Sequence, residues 1–291
     1  MLRYLKHDDI DPGKWDACIE HAPNGLIYAY SVYLDHMARH WDALVLNDYE
    51  AVMPLTWNKK FGIAYLYQPP FVACGGVFGR NFKVHDFIDA IPKKFKLIEI
   101  NLNAGNVYEP GLLRNNFILP LDASYEEIYS NYRENIKRNI RKAVSAGCVV
   151  KTGIPVEQII DLAKEQLGTV VKLREYDLQQ FQKLYKLLQA TTYGVFSPSG
   201  QLLASCVYFF SHNRAYYILV GNHPNGKTIG ASHYLIDRFI ADHAGSDLIL
   251  DFEGSDIRNL AFFYSSFGAK AEIYPAIHID RLPWFIRALR K

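Results

Sequence analysis

Ala215-Tyr-Tyr-Ile-Leu-Val220, Gly221-Asn-His-Pro-Asn-Gly-Lys-Thr-Ile-Gly-Ala231, Ser232 to His243, Asp247-Leu-Ile-Leu-Asp251 and a last piece ending Phe267-Gly-Ala269 follow one another in this chain. They read as a strand, a glycine-punctuated loop, an amphipathic helix, a buried strand and a short helix. A loop leading from a strand into a helix offers unpaired backbone N–H groups and the positive end of the helix dipole. Together these favour an anion such as a phosphate.

Gly221 to Thr228 also satisfies G-x-x-x-x-G-K-[ST], the nucleotide P-loop pattern, with Leu248-Ile-Leu-Asp251 as a candidate magnesium-holding strand. The surroundings argue against that reading. A P-loop opens a parallel sheet with several further strands, and only about sixty residues follow here. Before it, Tyr193-Gly-Val-Phe196, Gln201 to Phe210 and Ala215 to Val220 are joined by the turns Ser197-Pro-Ser-Gly200 and Ser211-His-Asn-Arg214. Such short connections make an antiparallel meander and leave no room for crossover helices.

The same order of elements occurs earlier. Asp42 to Leu46, Glu50 to Trp57 and Ile63 to Tyr67 form a first meander around the turns Asn47-Asp-Tyr49 and Lys59-Lys-Phe-Gly62. A loop (Gln68 to Gly76), a helix (Val84 to Ile91) and a strand (Phe95 to Asn101) follow. Both halves run helix, three-strand meander, loop, helix, strand, which points to a tandem duplication. Asn103-Ala-Gly-Asn-Val-Tyr-Glu-Pro-Gly111 interrupts the pattern. The expected organisation is a first domain over 1–115, a second over 116–275, and a tail over 276–291 made of the strand Ala276 to Asp280 and a terminal helix from Pro283.

Meander, phosphate loop, helix, buried strand and a helix with Tyr and terminal Phe-Gly resemble the GNAT (N-acetyltransferase) fold. Lys227-Thr-Ile-Gly-Ala-Ser232 resembles its acyl-CoA pyrophosphate loop, [RQ]-x-x-G-x-[GA], with Lys227 and Ser232 as departures. Asn259-Leu-Ala-Phe-Phe-Tyr-Ser-Ser-Phe-Gly268 resembles the later N-x-x-A-x-x-[FL]-Y-x-x-x-G-F signature, shortened by one residue at two places. Asn131 to Gly147 resembles the basic helix, R-x-x-I-R-x-A-x-x-x-G, of FemAB-like and BioF2-like acyltransferases, which carry two such domains. The fold class implied is α/β with mixed sheets, in two tandem GNAT-like domains, the first degenerate because Pro-Pro-Phe-Val-Ala-Cys-Gly-Gly replaces its phosphate loop. In FemAB-like relatives a tail of this kind packs back on the first domain.

Composition agrees with a well-packed globular protein. Across 291 residues, 49% are hydrophobic and 14% aromatic, enough for two ordinary cores, and a net charge of +2 gives no general attraction to nucleic acid or anionic membrane. Cys18, Cys74, Cys148 and Cys206 form no C-x-x-C pair. No apolar run reaches the roughly 18 residues of a membrane span, and the N-terminus lacks a secretory core. A cytoplasmic protein with reduced thiols is expected.

Each candidate residue has two readings. Tyr264 falls at the signature tyrosine, whose implied role is to protonate a leaving thiolate; otherwise it is a core ring. Asp251 and Glu253 close a buried strand. Glu253 is the candidate base and Asp251 a substrate-orienting carboxylate, unless Asp251 is structural and Ser255 or Asp256 caps the next helix. On a helix over Ser130 to Ala146, Ile128, Tyr132, Ile136, Ile140 and Val144 form the buried series, with Arg133, Lys137 and Arg141 beside it. That basic row is a solvated face or a seat for an anionic acceptor. His36 and His40 fall at i and i+4 on an expected helix, but Met37 stands where H-E-x-x-H requires Glu, so no metal is expected.

The resemblance implies an N-acyltransferase taking its acyl group from acetyl-CoA or another acyl-CoA, seated on Lys227, Thr228, Gly230, Ala231 and Ser232, and passing it to an amine of a small molecule or peptide. A FemAB-type aminoacyl-tRNA-dependent peptidyltransferase is the alternative within transfer chemistry, although the helical arm of those enzymes is absent. A catalytically silent binding protein is the alternative outside it. Apart from charged tRNA, no nucleic acid and no membrane is expected as partner.

Overall fold

A computed structural model describes residues 1–109, 111–167, 174–254 and 256–283. The chain forms two compact units, Met1–Arg114 with the residues from Ile273 on, and Asn115–Glu272. In chain order the first begins with β1 (Leu2–Leu5), α1 (Pro12–His21), α2 (Ser31–Met37), β2 (His40–Leu46), β3 (Ala51–Lys60), β4 (Ile63–Leu66), β5 (Phe78–Gly79), α3 (Val84–Asp89) and β6 (Phe95–Asn101). There follow β7 (Leu112–Pro120), α4 (Tyr125–Ser130), α5 (Glu134–Ser145), β8 (Val149–Thr152), α6 (Val156–Leu167), α7 (Glu175–Tyr185), β9 (Ala190–Phe196), β10 (Leu202–Ser211) and β11 (Arg214–Asn222). The last elements are α8 (Pro224–Ile229), α9 (Ala231–His243), β12 (Ile249–Asp251), α10 (Arg258–Ser265) and β13 (Lys270–Asp280).

In unit 1 the strands lie in the order β1, β2, β3, β4, β6, β13, all antiparallel neighbours except the parallel pair β4 and β6. Phe61 and Gly62, both at positive φ, make the tight β3–β4 turn. Alternating apolar residues of β3, β4 and β6 meet α3 in a core that includes Met53, Leu66, Phe87, Ile98 and Ile100. β4 and β6 pair only from Ala64–Phe95 to Leu66–Ile98. The following gap is filled by the chain itself. Gln68 Oε1 accepts from Asn101 N at 2.9 Å, Asn101 Nδ2 donates to Ala73 O at 2.9 Å, Asn103 Nδ2 to Gly75 O at 2.8 Å, and Asn106 Oδ1 accepts from Val77 N at 2.7 Å. Buried amide side chains satisfy the polar backbone of this plug.

Unit 2 repeats the order of elements. The meander β8, β9, β10, β11 is antiparallel throughout, β11 runs parallel to β12, and β12 is antiparallel to β7. Helix α9 buries Leu235, Ile236, Phe239 and Ile240 against one face, together with Ile136 and Ile140 of α5. Helix α6 covers β11, close enough that a Cβ at Gly221 would stand 2.9 Å from Leu162 Cγ and 3.0 Å from Ala163 N. The α/β class with mixed sheets is as expected, and both meanders lie within a few residues of the positions read from turn chemistry.

The structure corrects several local expectations. The helix expected from Ser130 to Ala146 is broken at Asn131–Arg133, and Ser124 caps α4 through Glu127 N. Val144 is 52% exposed; Ala143 takes the buried position, because an i+4 series drifts off the 3.6-residue period, whereas the seventh residue after Ile136 stays on its face. His40 opens strand β2, so His36 and His40 never share a helix face. Helix α10 begins at Arg258 with Ile257 as its N-cap residue, and Asp256 Oδ1 accepts from Asn115 N at 3.2 Å instead of capping that helix. The cap reading of Ser255 and the expected terminal helix beyond Pro283 lie outside the described residues.

Residues of unit 2 on four strands share one charge network, with the buried Asp251 at its centre. Arg214 Nη1 on β11 donates to Asp251 Oδ2 on β12 at 2.8 Å and to Glu272 Oε2 on β13 at 3.0 Å, and Nη2 reaches Glu272 Oε1 at 2.6 Å. Asn116 Nδ2 on β7 donates to Asp251 Oδ1 at 3.0 Å and to Glu272 Oε2 at 3.2 Å. Replacing Arg214 leaves the buried Asp251 and the half-buried Glu272 carboxylates uncompensated, so Arg214→Met should destabilise the protein by about 3–5 kcal/mol. Urea unfolding checks this; a loss below about 1 kcal/mol, the scale of an exposed pair, contradicts it.

Candidate active site where two parallel strands part

Backbone geometry defines the site. β11 and β12 pair through Arg214–Ile249, Ala215–Leu250 and Tyr216–Asp251 and no further. β11 runs on to Asn222, whereas the other chain is drawn off: Phe252 N bonds to Phe117 O at 2.9 Å, and Glu253 adopts φ +61. A non-glycine residue in the left-handed region is unusual, and here it turns the chain away from β11. Ligands collect where parallel strands separate at their carboxyl ends.

Tyr264 reaches this place from α10. Its ring is buried and stacks on Phe252 at 4.5 Å, with Phe117 at 6.3 Å. Burial raises its hydroxyl pKa first, and the negative charge of Glu253 and the neighbouring Cys206 add to this. Tyr264 therefore stays protonated at neutral pH, the state an acid needs. Cys206 is wholly buried, and burial holds its thiol up too, so it is no nucleophile. Sequence reading passed over Cys206 and Tyr217, which line the same cluster from adjacent strands; alternation along β10 and β11 was the available signal.

Asp251 and Glu253 have separate roles. Asp251 is 3% exposed, accepts from Asn116, Arg214 and the Glu253 N–H (2.8 Å), and is held above the usual carboxylate range by burial, which outweighs Arg214. Three of its roughly four lone-pair directions are engaged by neighbouring strand residues, so it braces the strands. Glu272 is less buried, and the two-pronged grip of Arg214 holds it below its ordinary range despite desolvation. Glu253 sits near enough to Tyr264 to influence its ionisation.

The expected phosphate seat has a different local structure from an open loop. Pro224–Ile229 forms α8, capped by His223 Nδ1 on Asn225 N at 3.1 Å. Pro at the first helical position and the His223 cap favour a helix start where the letter pattern suggests an open loop. Gly230 takes φ +81 and joins α8 to α9. A Cβ there would stand 2.6 Å from Asn139 O and 2.8 Å from Asn139 Cβ, so α5 packs directly on it. Thr228 Oγ1 bonds to Asn225 O at 2.8 Å, and Thr228 O accepts from Lys142 Nζ. Lys227 is exposed on α8, Ala231 is buried, and Ser232 lies in the first turn of α9 beside His233. Lys227, Thr228, Gly230, Ala231 and Ser232 thus lie together around the start of α9, with α5 against Gly230.

The basic row splits. Arg133 lies just before α5, with its guanidinium 4.8 Å over the Phe262 ring of α10 and its N–H bonded to Ser266 O at 2.9 Å. Lys137 Nζ donates to Ser130 O at 3.2 Å and pairs with Glu134 at 3.6 Å; Arg141 pairs with Glu134 at 3.8 Å. One glutamate thus screens two of the three cations. Among the described residues, no three His, Cys, Asp or Glu side chains are grouped to hold a metal ion, and no helix is long and apolar enough to cross a membrane.

By sequence, no family model and no curated protein matches the chain. By structure it is similar to FemX (TM-score 0.64, 13% identity, 99% of each chain), to L-PGS from Bacillus licheniformis (0.57, 13%, 96% of this chain and 95% of that one) and to a conserved protein of unknown function from Bacteroides thetaiotaomicron (0.59, 12%, 95% and 99%). The likeness spans both units and establishes the fold, two tandem GNAT-like domains.

His233 escaped the sequence reading. It sits in the first turn of α9, its Nε2 3.2 Å from Asn139 Nδ2, its ring edge-on to Phe263, and its Nδ1 buried with no partner among the described residues. Burial lowers its pKa to about 4. Between pH 6.5 and 4 the unfolded chain takes up a proton that folded His233 refuses, so stability from this group is lost as pH falls. Asp237, pushed up to about 6 by burial although Tyr125 Oη donates to it at 3.0 Å, gives the opposite slope over about pH 4–6. His233→Gln removes the first effect alone. Its stability relative to wild type should improve by about 1–2 kcal/mol between pH 7 and 4.5, discounted for partial exposure of the ring. Urea unfolding at both pH values measures it, and parallel pH profiles contradict it.

Proposed function

We propose that the chain is an acyltransferase that moves an acyl group from a CoA thioester to an amine of a small molecule or peptide. The observation that carries this reading is Tyr264, kept protonated by burial where β11 and β12 part, with Glu253 beside it. The amine nitrogen attacks the thioester carbonyl, the N–C bond forms and the C–S bond breaks. Tyr264 gives its proton to the departing thiolate, and Glu253 takes the proton that the new ammonium must lose. The α9 N-terminus, with Lys227 exposed one turn before it, supplies the positive potential that suits the CoA pyrophosphate.

A second reading has its own observation. Asn139 packed against Gly230 and Lys142 bonded to Thr228 O narrow the space available to a pyrophosphate. A donor without one, such as the aminoacyl ester of a charged tRNA, does not require that space.

Calorimetric titration separates the two. Wild type should bind acetyl-CoA, Lys227→Ala should weaken it about fivefold, and Tyr264→Phe should leave binding intact while lowering turnover about 100-fold. Acyl transfer from charged tRNA without acetyl-CoA binding establishes the second reading and overturns the first. Unchanged turnover in Tyr264→Phe removes the assigned acid from either.

A further inference from the structure

Tyr216–Asp251 is the last pair between β11 and β12. The next residues, Tyr217 and Phe252, therefore stand at the apex of the parting, their rings edge-on at 5.9 Å. Phe252 stacks in turn on Tyr264. On the other side the register sets Tyr217 beside Tyr208 of β10, ring to ring at 5.5 Å, and Phe239 of α9 covers Tyr208 at 3.8 Å. Three tyrosines thus follow one path, from Tyr264 past Tyr217 to Tyr208.

Their hydroxyls lack partners among the described residues. Tyr208 is wholly buried with its Oη unbonded, and neither Tyr217 nor Tyr264 makes a hydroxyl hydrogen bond there. Nearby polar groups are engaged elsewhere: Tyr193 Oη donates to Asp242 at 2.9 Å, and the Cys206 thiol donates to Val207 O at 3.2 Å. Burial raises the Tyr208 and Tyr217 hydroxyls well above their ordinary range, and Cys206 adds to both, so each remains a donor at neutral pH. A buried donor without an acceptor is costly, and phenylalanine would fill the same volume without that cost.

The chemistry that satisfies such an apex is narrow. A carboxylate would meet no cation, since Arg214 is held by Asp251 and Glu272. An ammonium would tie up Glu253, the carboxylate assigned to take the proton of the acceptor amine. A neutral hydroxyl donates and accepts at once, which suits a phenol on either side of it. We propose that the acyl group taken up here carries a hydroxyl, which hydrogen-bonds to Tyr217 at the apex of the parting, with Tyr208 behind it as second partner. This rests on the CoA-thioester reading of unit 2 and makes Tyr217 and Tyr208 the residues that set acyl specificity.

Two pairs of CoA thioesters, matched in size and differing by hydroxyl for methyl, test it by calorimetry on the full chain. They are 4-hydroxybutyryl against pentanoyl and 3-hydroxybutyryl against 3-methylbutyryl, with acetyl-CoA as reference. At least one hydroxyacyl thioester should bind about tenfold tighter than its methyl partner. Tyr217→Phe should bring that pair within about twofold, and Tyr208→Phe should narrow the gap about threefold. Both substitutions keep the ring, so the core stays filled. Tyr208→Phe should also raise the urea midpoint of the free protein, whereas removing a hydroxyl that served the fold would lower it. Acetyl-CoA binding with neither pair separated, or a separation unmoved by both variants, overturns the proposal and leaves the CoA reading standing. Failure of every thioester to bind overturns both, and a lowered midpoint in Tyr208→Phe overturns the role of Tyr208.

Discussion

A single guanidinium shared by one buried and one half-buried carboxylate sets the geometry of unit 2. Arg214 on β11 bonds Asp251 on β12 and Glu272 on β13, and Asn116 on β7 bridges both carboxylates. Such a network contributes little net stability relative to an apolar core of the same volume, because each ion must leave water. Its worth is positional. Any slip of β12 against β11 would strand a buried charge, so the paired half of the two strands is held in one register, and they part at one place. Glu253 belongs to the same device, since its N–H closes on Asp251 while its own φ of +61 turns the chain away.

The two units show what happens to one parting with and without a plug. In unit 1 the chain between β4 and β6 folds into the gap, and Gln68, Asn101, Asn103 and Asn106 satisfy its backbone. Amide side chains can both donate and accept, which suits them to sealing irregular buried backbone without adding charge. In unit 2 the corresponding residues become α8 and the start of α9, and aromatic rings gather behind the parting. The first copy thus differs from the second in having this gap filled by its own chain.

Local chemistry made much of this legible in the sequence. Turn residues located both meanders, and apolar alternation gave Phe95–Asn101 its bounds as β6. Three features were not legible, for physical reasons. Arg214 finds its partners 37 and 58 residues away, a distance at which no periodicity connects them. Gly230 fits a phosphate pattern, yet its missing Cβ also makes room for Asn139 of α5, and a glycine cannot announce which of two close approaches it serves. His233 looked like an ordinary helix residue, because its environment comes from Phe263 and Phe267 on another element.

The residues 251–253 condense the division between structure and chemistry. Along a strand successive side chains face opposite ways. Asp251 therefore enters the charge network on one side, and Phe252 enters the aromatic stack with Tyr264 on the other. A regular third position would return Glu253 to the side of Arg214, where a third carboxylate around one guanidinium could not remain ionised. The left-handed turn at Glu253 prevents that and leaves its charge to act on Tyr264. One unusual backbone conformation thus separates the bracing carboxylate of Asp251 from the carboxylate of Glu253, whose charge acts on Tyr264.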